Sequence, residues 1–189
     1  RLEGHPHFLM NGQTIDKKTV EGIEITAGSL GHGSSQAVGL AYGLQMDNKK
    51  NHVFCLLSDA EQQEGQTWEA YMFATHHRLN NLTFIIDDNH IQISGKTQAV
   101  MSLGNLKLKL IAFGLQVLEM DAHDFVDIQK KLQQAKDNKQ HTVAIIAHST
   151  PGKGVSFMEN DYRWHGRAPN KQEFESAMQE LRIKKQQLS

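Results

Sequence analysis

Two apolar runs in this 189-residue chain are each followed by a polar residue able to bind a hard cation. Asp59 stands just after Val53-Phe-Cys-Leu-Leu57, and Asn89 shortly after Leu82-Thr-Phe-Ile-Ile86. One carboxylate and one amide oxygen, with loop carbonyls nearby, form a donor set suited to Mg2+ or Ca2+. The set carries too little charge to hold either ion alone, so a ligand must supply the rest, and phosphate oxygens and water usually complete such an octahedron. A glycine cluster, Gly28-Ser-Leu-Gly-His-Gly33, precedes a helical pattern and offers backbone N–H groups to such an anion. Its spacing is not the Gly-x-Gly-x-x-Gly of dinucleotide sites. From the residues alone, two readings stand side by side: a diphosphate-plus-cation edge, or a set of turn residues beside a tight helix start.

Positioning these groups requires a sheet. The runs 52–57 and 82–86 have strand character, and between them residues 66–78 form a helical pattern with Trp68, Tyr71 and Met72 on one stripe. Parallel strands joined by a right-handed crossover end on one edge, where Asp59 and Asn89 would converge. The triplet Asp87-Asp88-Asn89 is too polar to continue the sheet and predicts a loop. Upstream, Gly22-Ile-Glu-Ile-Thr26 alternates, and a helix over 34–47 has a serine available as N-cap and Ala37, Leu40, Ala41 and Leu44 on one face. Downstream the alternation continues with a helix at 106–113, a strand at 115–119, a helix at 123–135 (Phe125, Ile128, Leu132) and a strand at 142–147. A last helix after Asn170 carries Phe174, Met178 and Leu181 on one stripe. The pattern predicts an α/β fold with a doubly wound, mainly parallel sheet flanked by helices, in one domain over residues 1–189. The chain opens at Arg1 in a polar segment, and the expectation is that an N-terminal portion is missing.

Composition narrows the partners. With 20 Lys+Arg against 21 Asp+Glu there is no case for nucleic acid or an anionic membrane. Cys55, the single cysteine, lies inside an apolar run, which predicts a buried thiol and excludes an intramolecular disulfide. No run approaches a membrane span and no signal peptide is evident, so a cytoplasmic protein is expected. No zinc spacing, phosphate-loop lysine motif or defensible Ser/His/Asp order is present.

The wording around the two polar residues is similar to a known family. Asp59 and Asn89 are 89 − 59 = 30 residues apart, and the thiamine-diphosphate signature is Gly-Asp-Gly followed about thirty residues later by asparagine. The flanking text agrees: Glu61-Gln-Gln-Glu-Gly-Gln-Thr-Trp-Glu69, Asn81-Leu-Thr, Asp88-Asn-His-Ile-Gln-Ile93, Phe113-Gly114, Asp121-x-His-Asp124, Lys153-Gly-Val-Ser-Phe-Met-Glu-Asn160 and Trp164-His-Gly-x-Ala-Pro169. The chain resembles the diphosphate-binding half of transketolase from Gly4 almost to its last helix. By position, the resemblance implies that Asp59 and Asn89 hold Mg2+ (or Ca2+) through side-chain oxygens and Ile91 through its carbonyl. It implies that Ile93 packs against thiamine diphosphate, that Gly28, Ser29 and Leu30 line its site, and that Ser58 and Ala60 flank the diphosphate. It places His5 and His165 as catalytic histidines near the reacting carbon or the diphosphate, and Glu64 and Glu69 at a subunit interface beside the cofactor.

The activity so implied is transfer of two-carbon ketol units between ketose and aldose sugar phosphates, in the pentose phosphate pathway. The glutamate that activates the cofactor's pyrimidine lies, in this family, on a second domain absent here. The resemblance is therefore to the N-terminal half of a split transketolase, completed by a C-terminal subunit that binds the pyrimidine, in a dimer or heterotetramer. Two other readings accompany it: a non-catalytic binding or scaffold relative, and a different thiamine-diphosphate enzyme of related substrate. Three departures stand out. Ser58 and Ala60 replace the two glycines of Gly-Asp-Gly, where a Cβ costs on the order of 1 kcal/mol if φ must be positive. A histidine-bearing strand and helix expected before Gly4 are absent, and Pro151 stands where other members differ.

Overall fold

Four strand-length runs, three of them rich in β-branched or aromatic residues, form one parallel sheet. The computed structural model describes residues 28–187, together with a short antiparallel pair, β1 (Leu9–Met10) and β2 (Gln13–Thr14). The sheet consists of β3 (Val53–Ser58), β4 (Leu82–Asp88), β7 (Gln116–Asp121) and β8 (Val143–His148), in the spatial order β3-β4-β8-β7. Helix α1 (His32–Met46) leads into β3, and α2 (Gly65–His76) connects β3 to β4. A small hairpin, β5 (Ile91–Gln92) with β6 (Gly95–Lys96), is followed by α3 (Thr97–Met101) and α4 (Leu106–Ala112). Helix α5 (Phe125–Asp137) joins β7 to β8, and α6 (Lys171–Gln187) closes the described chain.

From β4 the chain passes to the far edge at β7 and then returns to β8 between them. That reversal sends α5 to the other face, because right-handed crossovers in opposite directions lie on opposite sides of a sheet. Residue alternation along β8 shows both faces covered. Ala144 and Ile146 join Phe84, Ile86 and Tyr71 in a core with α1, α2 and α4, whereas Val143, Ile145 and Ala147 pack with Ile128, Leu132 and Ala135 of α5. All four strands being parallel, Asp59, Asn89, Asp121 and Ser149 follow or mark their C-terminal ends on a common edge.

The helices differ from the expected stripes in instructive ways. On α2 the inward face is Thr67, Ala70, Tyr71 and Ala74, leaving Met72 60% exposed. That face packs against α1 and reaches the sheet through Tyr71 on Phe84, and Met72, the next residue, points away from it. Phe125 is the first residue of α5 and 83% exposed, so the stripe there begins at Ile128. On α6 it is Ala177 that is buried, while Phe174 and Leu181 remain exposed. No serine side chain caps α1. Gly31 precedes it at φ 80, where a Cβ would meet Gln66 Nε2 at 2.7 Å, and Ser34 Oγ donates back to the Gly31 carbonyl at 2.7 Å. Asp87 and Asp88 do not leave the sheet. They pair with Ala147 and His148 of β8, because both carboxylates find polar partners at the strand ends: Ser149 and Asn89 for Asp87, His90 and His148 for Asp88. The segment 22–26 lies outside the described residues. Among the described residues, no helix is long and apolar enough to cross a membrane.

Two consequences can be measured. Phe84 is fully buried against Tyr71, with ring centroids 4.8 Å apart, whereas Leu56 on the neighbouring strand is 73% exposed. Phe84→Ala is expected to cost about 3–5 kcal/mol and Leu56→Ala less than about 0.5 kcal/mol, as read by urea denaturation. Burial, with the Glu61 carboxylate adding to it, pushes the Cys55 thiol up to about 12. It is therefore a thiol and not a thiolate at pH 8, and iodoacetamide is expected to label it only after unfolding.

Candidate functional site

Asp59 follows β3 and is 1% exposed. Its carboxylate is fully engaged: Oδ1 accepts from the Ala60 N–H at 2.8 Å, and Oδ2 accepts from the His90 N–H at 3.1 Å and from Thr97 Oγ1 at 2.8 Å. One buried carboxylate thus ties the start of the 3₁₀ turn Ala60–Gln63 to both ends of the hairpin that follows β4. Burial raises its pKa above the ordinary value. The hydrogen bonds from Thr97 and Ala60 oppose the rise, the Asp88 carboxylate adds to it, and His90 opposes it. A buried carboxylate with a penalised charge is a place where a cation is welcome.

Asn89 lies beyond the end of β4. Its Nδ2 donates to Asp87 Oδ2 at 2.9 Å and its Oδ1 accepts from the Ile91 N–H at 3.0 Å. Asn89, Ile91 and His165 line one cavity of about 260 Å3, closed by Pro151 and Gly152 after β8 and by Met158, Trp164 and Arg167. His165 is brought there by a tightly tied segment: Trp164 Nε1 donates to the Phe157 carbonyl at 3.0 Å, and the Arg167 guanidinium stacks over the Trp164 ring at 3.9 Å. A residue expected to bind metal through its side chain, one expected to bind it through its carbonyl, and a distant histidine expected to be catalytic thus face the same space.

Asp59 borders a different and larger cavity, of about 620 Å3, with Asp88, His90, Thr97, Lys107, Glu119 and His148 among its walls. A polar chain crosses it. Lys107 Nζ meets Glu119 at 2.5 Å, Glu119 meets His148 Nε2 at 2.9 Å, His148 Nδ1 meets Asp88 at 3.2 Å, and Asp88 meets His90 Nδ1 at 3.2 Å. Asp59, Asp88 and His90 offer ligand atoms within 4.8 Å of one another, a group able to hold a metal ion. The structure therefore presents Asp59 beside Asp88 and His90 and places Asn89 and Ile91 on the other side of the same turn.

Glu61 is a residue that the motif did not single out. It is 8% exposed, and its carboxylate accepts from the Gly31 N–H at 3.0 Å and the Ser58 N–H at 2.9 Å. The anion at the glycine loop is thus the chain's own Glu61, which pins the start of α1 to the turn after β3. Its signal was present as Ser58-x-x-Glu61, the capping-box spacing, and Ser58 Oγ returns the interaction by accepting from the Glu61 N–H at 3.2 Å. Ser58 and Ala60 are absent from the positive-φ residues, so neither replacement of a glycine strains the backbone. The left-handed residue is instead His90, at φ 62, held by its N–H bond to Asp59 and by its carbonyl, which accepts from the Thr97 N–H at 3.0 Å.

The remaining expected residues are dispersed. Gly28, Ser29 and Leu30 are exposed before α1, with the Leu30 carbonyl accepting from Gln66 Nε2 at 3.0 Å. Glu64 is half-buried at the start of α2, Glu69 is exposed on that helix, and Ile93 is 77% exposed at the hairpin tip. His5 lies outside the described residues.

The comparisons with known proteins agree with this architecture. Residues 3–188 match the family model "Transketolase, thiamine diphosphate binding domain". The chain is 40% identical over 180 residues to one of the subunits of the apulose-4-phosphate transketolase of Phocaeicola vulgatus, covering 95% of this chain and 60% of that protein. It is 38% identical to the 6-deoxy-6-sulfo-D-fructose transketolase subunit SqwG of a Clostridium species, covering 88% and 60% of the two chains. The crystal structure of Campylobacter jejuni transketolase superposes with a TM-score of 0.79 at 32% identity, over 85% of this chain and 26% of that one. The chain thus spans about 60% of the length of the two subunits named and about a quarter of the full transketolase. With a matching fold and a family model covering nearly its whole length, this chain belongs to the thiamine-diphosphate-binding domain family of transketolase.

Proposed function

We propose that the chain is the diphosphate-binding half of a thiamine-diphosphate-dependent ketol transferase acting on sugar phosphates. The observation that carries this reading is the convergence of Asn89, Ile91 and His165 on one cavity at the C-terminal sheet edge, across one turn from buried Asp59. The donor chemistry fits the group: oxygen ligands for a hard cation from Asp59, Asn89 and the Ile91 carbonyl, and an imidazole, His165, beside the space for a diphosphate. The penalised charge of Asp59 adds a reason for a cation there. Thiamine diphosphate, when bound, supplies the thiazolium carbon that carries the two-carbon unit. This chain's residues would bind and orient it: Asp59 and Asn89 would hold the cation, Ile93 would supply an exposed apolar contact, and Gly28, Ser29 and Leu30 are proposed on the resemblance alone to line the thiamine site. His165 is placed to donate a hydrogen bond to a phosphate or substrate oxygen and to move a proton there. His5 is proposed for the same role on the resemblance alone.

Mg2+ or Ca2+ is the cation that the oxygen donors suit. The competing set, Asp59 with Asp88 and His90, includes an imidazole and suits a softer divalent ion. The half-site reading needs a second chain or domain with the pyrimidine-activating glutamate, and the subunit names of the two relatives accord with that. We place this partner across the exposed Glu69 side of α2, in a dimer or heterotetramer. An intracellular setting in sugar-phosphate metabolism belongs to the same reading. Ser58 and Ala60 do not favour a scaffold role, since both sit in unstrained backbone.

Titrating thiamine diphosphate into the chain at saturating Mg2+, followed by tryptophan fluorescence because Trp164 lines the cavity, is expected to show metal-dependent binding. His165→Ala is expected to weaken it and, with the partner chain present, to lower ketol transfer by about 10²–10⁴-fold. Fluorescence unchanged by cofactor, with or without the partner, would overturn the proposal.

A further inference from the structure

We infer that Asp87 and Ser149 are positioning residues that fix which end of the Asn89 amide faces the cation, an inference that rests on the diphosphate-site reading above. An asparagine amide has an acceptor and a donor end of almost the same shape, and only the oxygen can bind a cation. Asp87 resolves the choice. Its carboxylate can only accept, and its Oδ2 takes the Asn89 Nδ2–H at 2.9 Å, so Oδ1 is turned toward the Ile91 turn, where it accepts from the Ile91 N–H at 3.0 Å. A flipped amide would set an oxygen against the Asp87 carboxylate and an NH2 against the Ile91 N–H, two repulsive contacts in place of two hydrogen bonds. Asp87 is itself held, because its other oxygen accepts from Ser149 Oγ.

The sheet makes this chain of contacts rigid. Asp87 is a β4 residue paired with Ala147 of β8, Ser149 follows the end of β8, and the Asp87 carbonyl accepts from the Asp59 N–H at 3.1 Å. One residue therefore touches both halves of the cation donor set: through its backbone it holds the residue that supplies the carboxylate, and through its side chain it orients the amide. Asp87 and Ser149 do not line the 260 Å3 cavity, so neither is placed to touch cofactor or substrate.

The test is Mg2+-dependent thiamine diphosphate binding to the chain, with and without its partner, read by tryptophan fluorescence, with unliganded thermal stability measured in parallel. Asp87→Asn, free to present either end, is expected to weaken Mg2+ binding by about 10- to 100-fold. Ser149→Ala, which changes no charge, should weaken it in the same direction, and Ser149→Thr should restore it. The double variant Asp87→Asn with Asn89→Asp reverses the hydrogen bond, keeps the net charge and again presents an oxygen to the turn. It is expected to recover affinity, but the carboxylate it puts at position 89 attracts the ion in its own right, so the charge-neutral pair Ser149→Ala and Ser149→Thr carries the distinction from a merely structural role. Wild-type affinity in both Asp87→Asn and Ser149→Ala, or a Ser149→Thr variant no better than Ser149→Ala, would overturn the inference while leaving the diphosphate site standing. Absence of binding by the wild-type chain would overturn both.

Discussion

The fold of the functional edge hangs on one carboxylate. Asp59 is buried, and with its two oxygens it gathers the backbone N–H after β3, the backbone N–H of His90 and the hydroxyl of Thr97. Hydrogen bonds to a charged acceptor are each worth about 1.5–3 kcal/mol net, enough to hold His90 in a left-handed conformation that costs on the order of 1–3 kcal/mol. The turn so fixed carries Asn89 on one side and opens Asp88 and His90 on the other. A cation at this edge therefore meets a preformed loop, and the loop in turn depends on a charge that burial disfavours.

Glu61 does for the entrance of the sheet what Asp59 does for its exit. By accepting from Gly31 and Ser58 it joins the glycine loop before α1 to the turn after β3, so that two segments about thirty residues apart move as one. With Asp87 bridging Asn89 and Ser149, three buried or half-buried carboxylates organise the edge. Only one of them, Asp59, is offered to the cation in the proposed donor set. All three hold protein donors, Asp59 from Ala60, His90 and Thr97, and the other two serve orientation alone.

The parallel sheet and its helices were legible because apolar runs of strand length alternate with helical periods, and the edge because Asp59 and Asn89 both follow such runs. Side-chain direction was not legible. Whether Asp59 faces Asn89 or Asp88 depends on the hairpin at 91–96, whose geometry is set by the Asp59 hydrogen bonds themselves. Asp87 and Asp88 looked like loop residues because polarity was weighed without their cross-strand partners. His148 and Ser149 come from a strand about sixty residues away. Glu61 was hidden inside a family motif, although its Ser-x-x-Glu spacing from Ser58 was in plain view. The stripes misplaced Met72, Phe125, Phe174 and Leu181 because periodicity alone does not say which face is covered: on α2 and α6 it is the face with Ala70, Ala74 and Ala177, and Phe125 is the first residue of α5.

The most direct test of this account is the position of the cation. In a crystal of the chain with thiamine diphosphate and Mn2+ in place of Mg2+, an anomalous difference map should place the ion on Asn89 Oδ1, the Ile91 carbonyl and an Asp59 oxygen, at about 2.0–2.3 Å. An ion held by Asp88 and His90, with none on Asn89 Oδ1 or the Ile91 carbonyl, would contradict it.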